Sequence, residues 1–311
     1  MRVGQVSDVL PDPVLTGRAI ELGTGGPYAS EKIAPVATVA KDEFKYGKFA
    51  REHIKDEAKT KQAPGQPAGE VSFGISYVAA SVSYHKLKSR IPDALRANDP
   101  NNALDGRRTT MLTNKLLLGV ERRVKALCHA ATKTKATPST KWNGDSPDIR
   151  GDILAAKTAF RRNAGMNPNT IVIPPVVYDV VANDSAIVEL IKRQRDVLGN
   201  EVLEQILQMQ VVVPGALVDQ SNPGAAASIA DVWSDDEVYY LWVDQTAGDD
   251  LGALTALRQV RSAATGGQGL YVKRFRDADE SAEADWVSAH LNQTEIVPAQ
   301  ELILRQLDVL T

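Results

Sequence analysis

Cysteine is almost missing from this chain: Cys128 stands alone among 311 residues. One thiol can form neither an internal disulfide nor a multi-cysteine metal site, which excludes a small disulfide-stapled secreted scaffold and points to manufacture inside the cell. An excess of one charge is missing as well. The 36 Lys and Arg against 39 Asp and Glu leave a net charge of -3, too little for a small domain held to nucleic acid by uniform positive charge. Any basic surface must be local. The longest uncharged runs, 71–84 and 205–218, stop short of the roughly 18–20 apolar residues of a membrane span. The first 17 residues carry Asp8, Asp12, Pro11 and Pro13 where a signal peptide needs an unbroken apolar stretch, so no export signal and a soluble protein are expected. With 43% hydrophobic and 24% charged residues, 16 prolines and 22 glycines, the chain should fold as one large domain or two ordinary ones.

Residues 1–40 hold four prolines and five glycines without sustained periodicity, which predicts an extended arm and not the start of a core. Charges of both signs crowd residues 41–62, and Ala63-Pro-Gly-Gln-Pro-Ala-Gly69 then breaks regular structure like a loop tip. Val71, Phe73, Ile75 and Tyr77 alternate with Ser72, Gly74 and Ser76, a strand with one apolar face. Residues 45–85 are therefore expected to form a long hairpin arm. Leu112, Leu116, Val120, Val124, Leu127 and Ala131 make one stripe at steps of three and four, which predicts a helix of about 28 residues and roughly 42 Å, nearly the width of a compact chain of this length. A flat or elongated subunit follows.

A second helix is expected from Ser146-Pro147-Asp148, with Ser146 as cap, to a stop at Gly165. A buried strand at 170–173, short helices at 176–182, 185–195 and 201–209, and strands at 211–213, 238–243, 270–275, 286–291 and 302–307 make the second half mixed α/β. No period of 20–50 residues repeats, which argues against a solenoid or propeller.

Little in the chain has the pattern of catalytic chemistry. The histidines at 53, 85, 129 and 290 lack a second ligand at metal-binding spacing. Cys128 and His129 are sequence neighbours, so on a helix they point about 100° apart and cannot pair as nucleophile and base; Cys128 is expected to be a packing residue. Gly23-Thr-Gly-Gly26 and Gly266-Gly-Gln-Gly269 lack the strand, helix and Lys of a phosphate loop. Asp277-Ala-Asp-Glu280 lacks the Gly and distant Glu of a calcium loop. Neither metal nor cofactor is expected. Charge is polarised by segment instead: residues 105–141 carry nine basic residues, Arg107, Arg108, Lys115, Arg122, Arg123, Lys125, Lys133, Lys135 and Lys141, against Asp105 and Glu121, while Asp231, Asp235, Asp236, Glu237, Asp244, Asp249 and Asp250 make 231–250 purely acidic. The basic set reads either as an ordinary solvated helix face or as contact with an acidic neighbour or nucleic-acid phosphates.

One string has a familiar order: Trp142, Asp148-Ile149, Ile153, Gly165, Asn167-Pro-Asn-Thr-Ile-Val-Ile173, Ile187 to Lys192, Gly199 and Val211-Val-Val-Pro-Gly-Ala216. It resembles the major capsid proteins of tailed bacteriophages with the Hong Kong 97-type fold, with Pro214 where a glycine or valine is common. The resemblance implies an α+β chain: an N-terminal arm at 1–44, an extended β-hairpin loop at 45–90, a peripheral domain at 91–165 and 266–311 with a spine helix at 103–134, and a mixed α/β axial domain at 166–265. It also implies a structural protein without an active site, which self-assembles into pentamers and hexamers that close an icosahedral shell around phage double-stranded DNA, held non-specifically. Its location would be the virion, after synthesis in the host bacterial cytoplasm, with no membrane involved. Scaffolding, portal and decoration proteins are implied further partners; because the chain opens on an arm and not on a long charged helix, scaffolding is expected to be separate or absent. Some relatives cross-link through a loop lysine, but nothing singles out one among Lys45, Lys48, Lys55, Lys59 and Lys61, and no cross-link is expected. Phe73, Ile75 and Tyr77 are then candidate inter-subunit contacts, and Arg107, Arg108, Lys115, Arg122, Arg123 and Lys125 a candidate DNA-facing or inter-subunit surface. Two alternatives stay open: an encapsulin-like compartment that shells proteins instead of a genome, and an α/β enzyme using Asp235, Asp236 and Glu237 or Asp249 and Asp250, which would lack a paired base or cofactor loop.

Overall fold

In a computed structural model of the chain, residues 11–24, 28–48, 76–99, 103–135, 137–194, 200–222, 225–246, 248–249, 251, 253–263, 269–277 and 283–310 are described. The elements in order are helices α1 (Pro13–Thr24) and α2 (Ser30–Ile33), strands β1 (Val36–Val39), β2 (Glu43–Lys48), β3 (Ser76–Ser81) and β4 (Ser83–Pro92), helices α3 (Asp93–Ala97) and α4 (Leu104–His129), and β5 (Thr134–Lys135). Then come α5 (Ile149–Ala164), β6 (Thr170–Val172), α6 (Pro175–Asn183), α7 (Ser185–Gln194), α8 (Asn200–Leu207), β7 (Gln210–Val212), β8 (Leu217–Asp219) and β9 (Ile229–Asp231). The last strands are β10 (Val238–Leu241), β11 (Leu257–Ser262), β12 (Leu270–Arg276), β13 (Ala284–Pro298) and β14 (Ile303–Gln306).

Two five-stranded sheets carry the described fold. In the first, β13 pairs antiparallel with β4, β11 and β12, and β1 joins parallel to β11. In the second, the order is β5-β14-β10-β6-β7. Helix α4 ties them together. Its stripe of Leu112, Leu116, Val120 and Val124 is buried in one continuous core with Val272, Val287 and Ala289 of the first sheet and Val238 to Leu241 and Ile303 of the second. With 26 residues the helix is about 39 Å long. It stops at His129, short of the expected end at 134. Residues 131–133 leave the helix and Thr134–Lys135 pair with β14, where Arg305 N–H donates to the Lys133 carbonyl.

Two local expectations need correction, and one strand was not expected. Residues 13–24 are helix, not extended arm: Asp12 accepts from the Val14 and Leu15 amides as a cap, Pro13 starts the helix, and buried Leu15 and Ala19 face the core. The helix is stitched to β12, since Asp12 N–H donates to the Val272 carbonyl and Val272 N–H to the Thr16 hydroxyl. The cap of α5 is Asp148, whose Oδ1 accepts from Gly151 N–H at 2.9 Å, and not Ser146, which sits at φ 54° outside the helix. A side chain at Gly151 would start 2.1 Å from Asp148 Oδ2, so the capping carboxylate would have to shift to admit one. Gly165, at φ 78°, does end α5 as expected. Finally β11, Leu257-Arg-Gln-Val-Arg-Ser, lacks apolar alternation, yet it is a buried strand paired on both edges, by β1 and β13.

Glu121 occupies the middle of this arrangement. It is 0% exposed, and its carboxylate accepts from the Ala29 amide at 3.1 Å, the Ser30 amide at 2.9 Å and the Trp233 indole N–H at 2.6 Å. A buried carboxylate is tolerated when donors saturate it. Replacing it would leave three buried donors unpaired, at roughly 1–3 kcal/mol each before relaxation. Glu121→Ala is expected to lower the unfolding free energy of the full chain by about 3 kcal/mol or more in a denaturant titration, while Arg122→Ala, exposed one position along, stays within about 0.5 kcal/mol.

Candidate functional site

The β2–β3 ladder is anchored at one end and open at the other. Phe44 and Val82 pack with Val260 and Val297, with Tyr46 and Ala80 partly buried against them, while Tyr77, paired with Gly47, is 63% exposed and Val78 is exposed beside it. Of the expected contact residues, Tyr77 therefore sits on the free outer end of this hairpin base. Phe73 and Ile75 lie outside the described residues, as do the loop tip at 63–69 and Asp250.

The basic residues of α4 divide. At 100° per residue, Arg107, Arg108, Lys115, Arg122 and Lys125 fall within an arc of about 100°; Arg107, Lys115 and Arg122 are exposed and Arg108 and Lys125 half-buried. Arg123 points to the border of the buried face. There its guanidinium bonds His85 on β4 and the Gly119 carbonyl, and burial pulls its pKa down, with Glu295 opposing. It joins helix to sheet and is no part of the basic arc. Arg122 and Lys125, with His129, also form one wall of a groove whose other wall carries Asp219 and Asp231 of the β8–β9 hairpin. Part of the opposite charge seen along the sequence thus meets within one chain. Burial, and then Asp235, raise the Asp231 carboxyl.

Four more acidic residues of 231–250, Asp236, Glu237, Asp244 and Asp249, accept hydrogen bonds within the chain. Glu237 is buried: burial alone would raise its carboxyl, but hydrogen bonds from Arg305 and from Tyr239 at 2.5 Å outweigh that and hold it below the ordinary value, with His129 Nδ1 at 3.2 Å. Asp236 accepts from the Leu310 amide, Asp249 from the Thr38 amide and Asp244 from Thr246. Cys128 is fully buried, and burial, with Glu121 second, pushes its thiol far up, so it packs and does not act as a nucleophile. Among the described residues, no group of three or more His, Cys, Asp and Glu is placed to hold a metal, and no helix is long and apolar enough to cross a membrane.

A charge cluster that sequence reasoning missed locks the start of α4 to the first sheet. Arg96 bonds Asp285 at 2.5 Å and Asp105 at 2.9 Å, Arg274 bonds the same two carboxylates, and Arg276 spans Asp93 and Asp285. The only sequence signal was the spacing of Arg274 and Arg276, two apart and so on one face of a strand. For Asp285, burial raises the pKa, and the Arg96 and Arg274 hydrogen bonds reverse this to a net lowering.

By sequence alone, no family model and no curated protein matches the chain. By structure, it is similar over 97% of its length to 98% of a phage-related protein from Bordetella bronchiseptica, at 19% identity and a TM-score of 0.70. A virus-like particle from Pyrococcus furiosus matches at 13% identity and 0.57, covering 94% of this chain and 97% of that one. The capsid structure of the cyanophage P-SCSP1u matches at 10% identity and 0.51, covering 89% and 87%. The chain has a mixed α/β fold of the kind found in phage capsids.

The two lowered carboxylates set an acid limit. A group whose folded pKa is depressed adds stability above its unfolded pKa and loses it as pH falls through the folded one. With ordinary values of 4.5 for Glu237 and 3.8 for Asp285, and with His290 pushed down from 6.5 to about 4 so that the unfolded chain takes up its proton first, the denaturant midpoint is expected to start falling below about pH 6.5 and to fall further below about 4.5. Glu237→Gln should lower the midpoint at pH 7 and make the acid drop shallower.

Proposed function

We propose that this chain is the repeating subunit of an icosahedral phage shell, assembling through pentamers and hexamers around double-stranded DNA. The observation that carries this is the anchored β2–β3 base with its exposed outer end, joined to a fold of phage-capsid type across nearly the whole chain. A ladder that packs Phe44 and Val82 against the body while Tyr77 and Val78 stay exposed offers that exposed end to another molecule. In this proposal residues 45–90 are the extended loop, 91–165 and 266–311 the peripheral domain with α4 as spine, and 166–265 the axial domain. Residues 1–44 keep the role of an arm in a reduced form, because α1 and β1 are built into the body. Phe73, Ile75 and Tyr77 contact the neighbouring subunit. Arg107, Arg108, Lys115, Arg122 and Lys125 remain the candidate DNA-facing or inter-subunit surface, from which Arg123 is withdrawn by its bonds to His85 and Gly119. The role is non-enzymatic, with the virion as location, synthesis in the host cytoplasm, and scaffolding, portal and decoration proteins as further partners.

A second possibility, a protein-filled compartment of encapsulin type, is favoured by the likeness to the archaeal virus-like particle. Particle contents separate the two, since a genome shell holds nucleic acid and a compartment holds protein.

Purified alone, the chain should form closed shells or capsomer rings by light scattering and negative-stain electron microscopy. The pair Phe73→Ser and Tyr77→Ser should leave a folded subunit that forms no particles; normal particles from it would refute the assigned contact. A wild-type chain that stays a 33.6 kDa monomer, with or without scaffolding protein, would refute the shell itself.

A further inference from the structure

The sheet β4–β13–β12 has two faces of opposite character. Residues directly paired across strands point the same way. On one side Ile91, Val287, Ala289, Leu291, Leu270 and Val272 join the core under α4. On the other, the register aligns three rows: Lys86, His290 and Tyr271; Lys88, Ser288 and Lys273; Arg90, Trp286 and Phe275. Tyr84, two residues before Lys86 on β4, extends the same side. None of the large side chains on this face belongs to the hydrophobic core, and Tyr84, Lys86, Lys88 and Arg90 are exposed while Tyr271, Lys273, Phe275, Trp286 and His290 are half-buried.

Those three rows hold four cations and no carboxylate. Among the described residues, carboxylates meet the face at its margins, where Asp277, from beyond the end of β12, pairs with Arg90 at 3.1 Å and Asp42 accepts from the Tyr84 hydroxyl at 3.2 Å. The rings are interleaved with the cations. Tyr271 and His290 stack at 4.8 Å and 7°, and the Lys88 ammonium lies 4.1 Å over the Trp286 ring. Burial, then Lys273 and Lys86, push His290 down to about 4, so it is a neutral ring at physiological pH in a positive field.

We infer that this face binds single-stranded nucleic acid. Lys86, Lys88 and Arg90 recur every second residue, at steps of about 6.8 Å along the strand, close to the phosphate repeat of an extended single strand. The neighbouring columns offer rings for its unstacked bases, the combination by which sheet surfaces hold single strands without reading sequence. A duplex keeps its bases stacked inside and could use only the cations. An acidic peptide would likewise leave the rings idle. This inference does not rest on shell formation, because it concerns the side of the sheet away from α4.

Fluorescence anisotropy of a labelled 20-nucleotide oligo(dT) with the full-length chain tests it, alongside a 20-base-pair duplex and polyglutamate, with particle size scored separately. Expected are tighter binding of the single strand than of either competitor and a log–log salt slope of about -3 for four contacts, at about 0.7 per phosphate. Lys86→Glu with Lys88→Glu should weaken binding at least tenfold and halve the slope. Tyr84→Ser, at a 65% exposed site, should weaken it about fivefold without changing the slope, as loss of one stacked base does. Circular dichroism checks that the variants fold. Undetectable binding, equal affinity for duplex or polyglutamate, or indifference to both sets of substitutions would overturn the inference, whatever the particles look like.

Discussion

A carboxylate at the centre of the long helix holds three distant stretches of chain in one place. Glu121 takes the amides of Ala29 and Ser30 and the indole of Trp233, so the N-terminal segment and the loop after β9 meet on α4. The same helix lies across both sheets, and its orientation fixes where each of them sits. Charge in the interior is costly unless fully bonded. That cost makes the junction specific, since a displaced partner would leave a bare charge or an unpaired donor.

The ends of α4 are secured by the same means. At the start, Arg96 and Arg274 bridge Asp105 to Asp285 on β13. At the finish, His129 meets Glu237, which Arg305 and Tyr239 also bind. Polar clamps at start, centre and finish surround an apolar stripe that supplies most of the burial energy. An element about 39 Å long, gripped in this way, transmits the position of one sheet to the other as a rigid strut.

Electrostatics along the chain and electrostatics in space differ. Along the sequence, positive charge is in excess in 105–141 and negative charge in 231–250. In the fold, the acidic residues are largely consumed as acceptors for backbone amides and for Arg305, and two of the basic residues face Asp219 and Asp231 across a groove. Meanwhile a concentrated positive surface arises on β4, β13 and β12, from strands so far apart in the sequence that no composition window could have joined them.

The α4 stripe, the stop at Gly165, the α5 face of Ile149, Ile153, Ala156 and Phe160, and the buried strand at 170–172 were all legible in the sequence, because each depends on periodicity or on one residue's backbone preference. The resemblance to capsid proteins was carried by the same stretch. Three things were not legible: α1, where glycines masked a short buried stripe; β11, an inner strand whose buried residues include polar ones; and the division of the basic set, in which Arg123 is drawn inward by His85. Periodicity states which side chains share a face of one element. Which faces then meet depends on register and burial between segments remote from one another in the sequence, and that was decided only when the chain closed on itself.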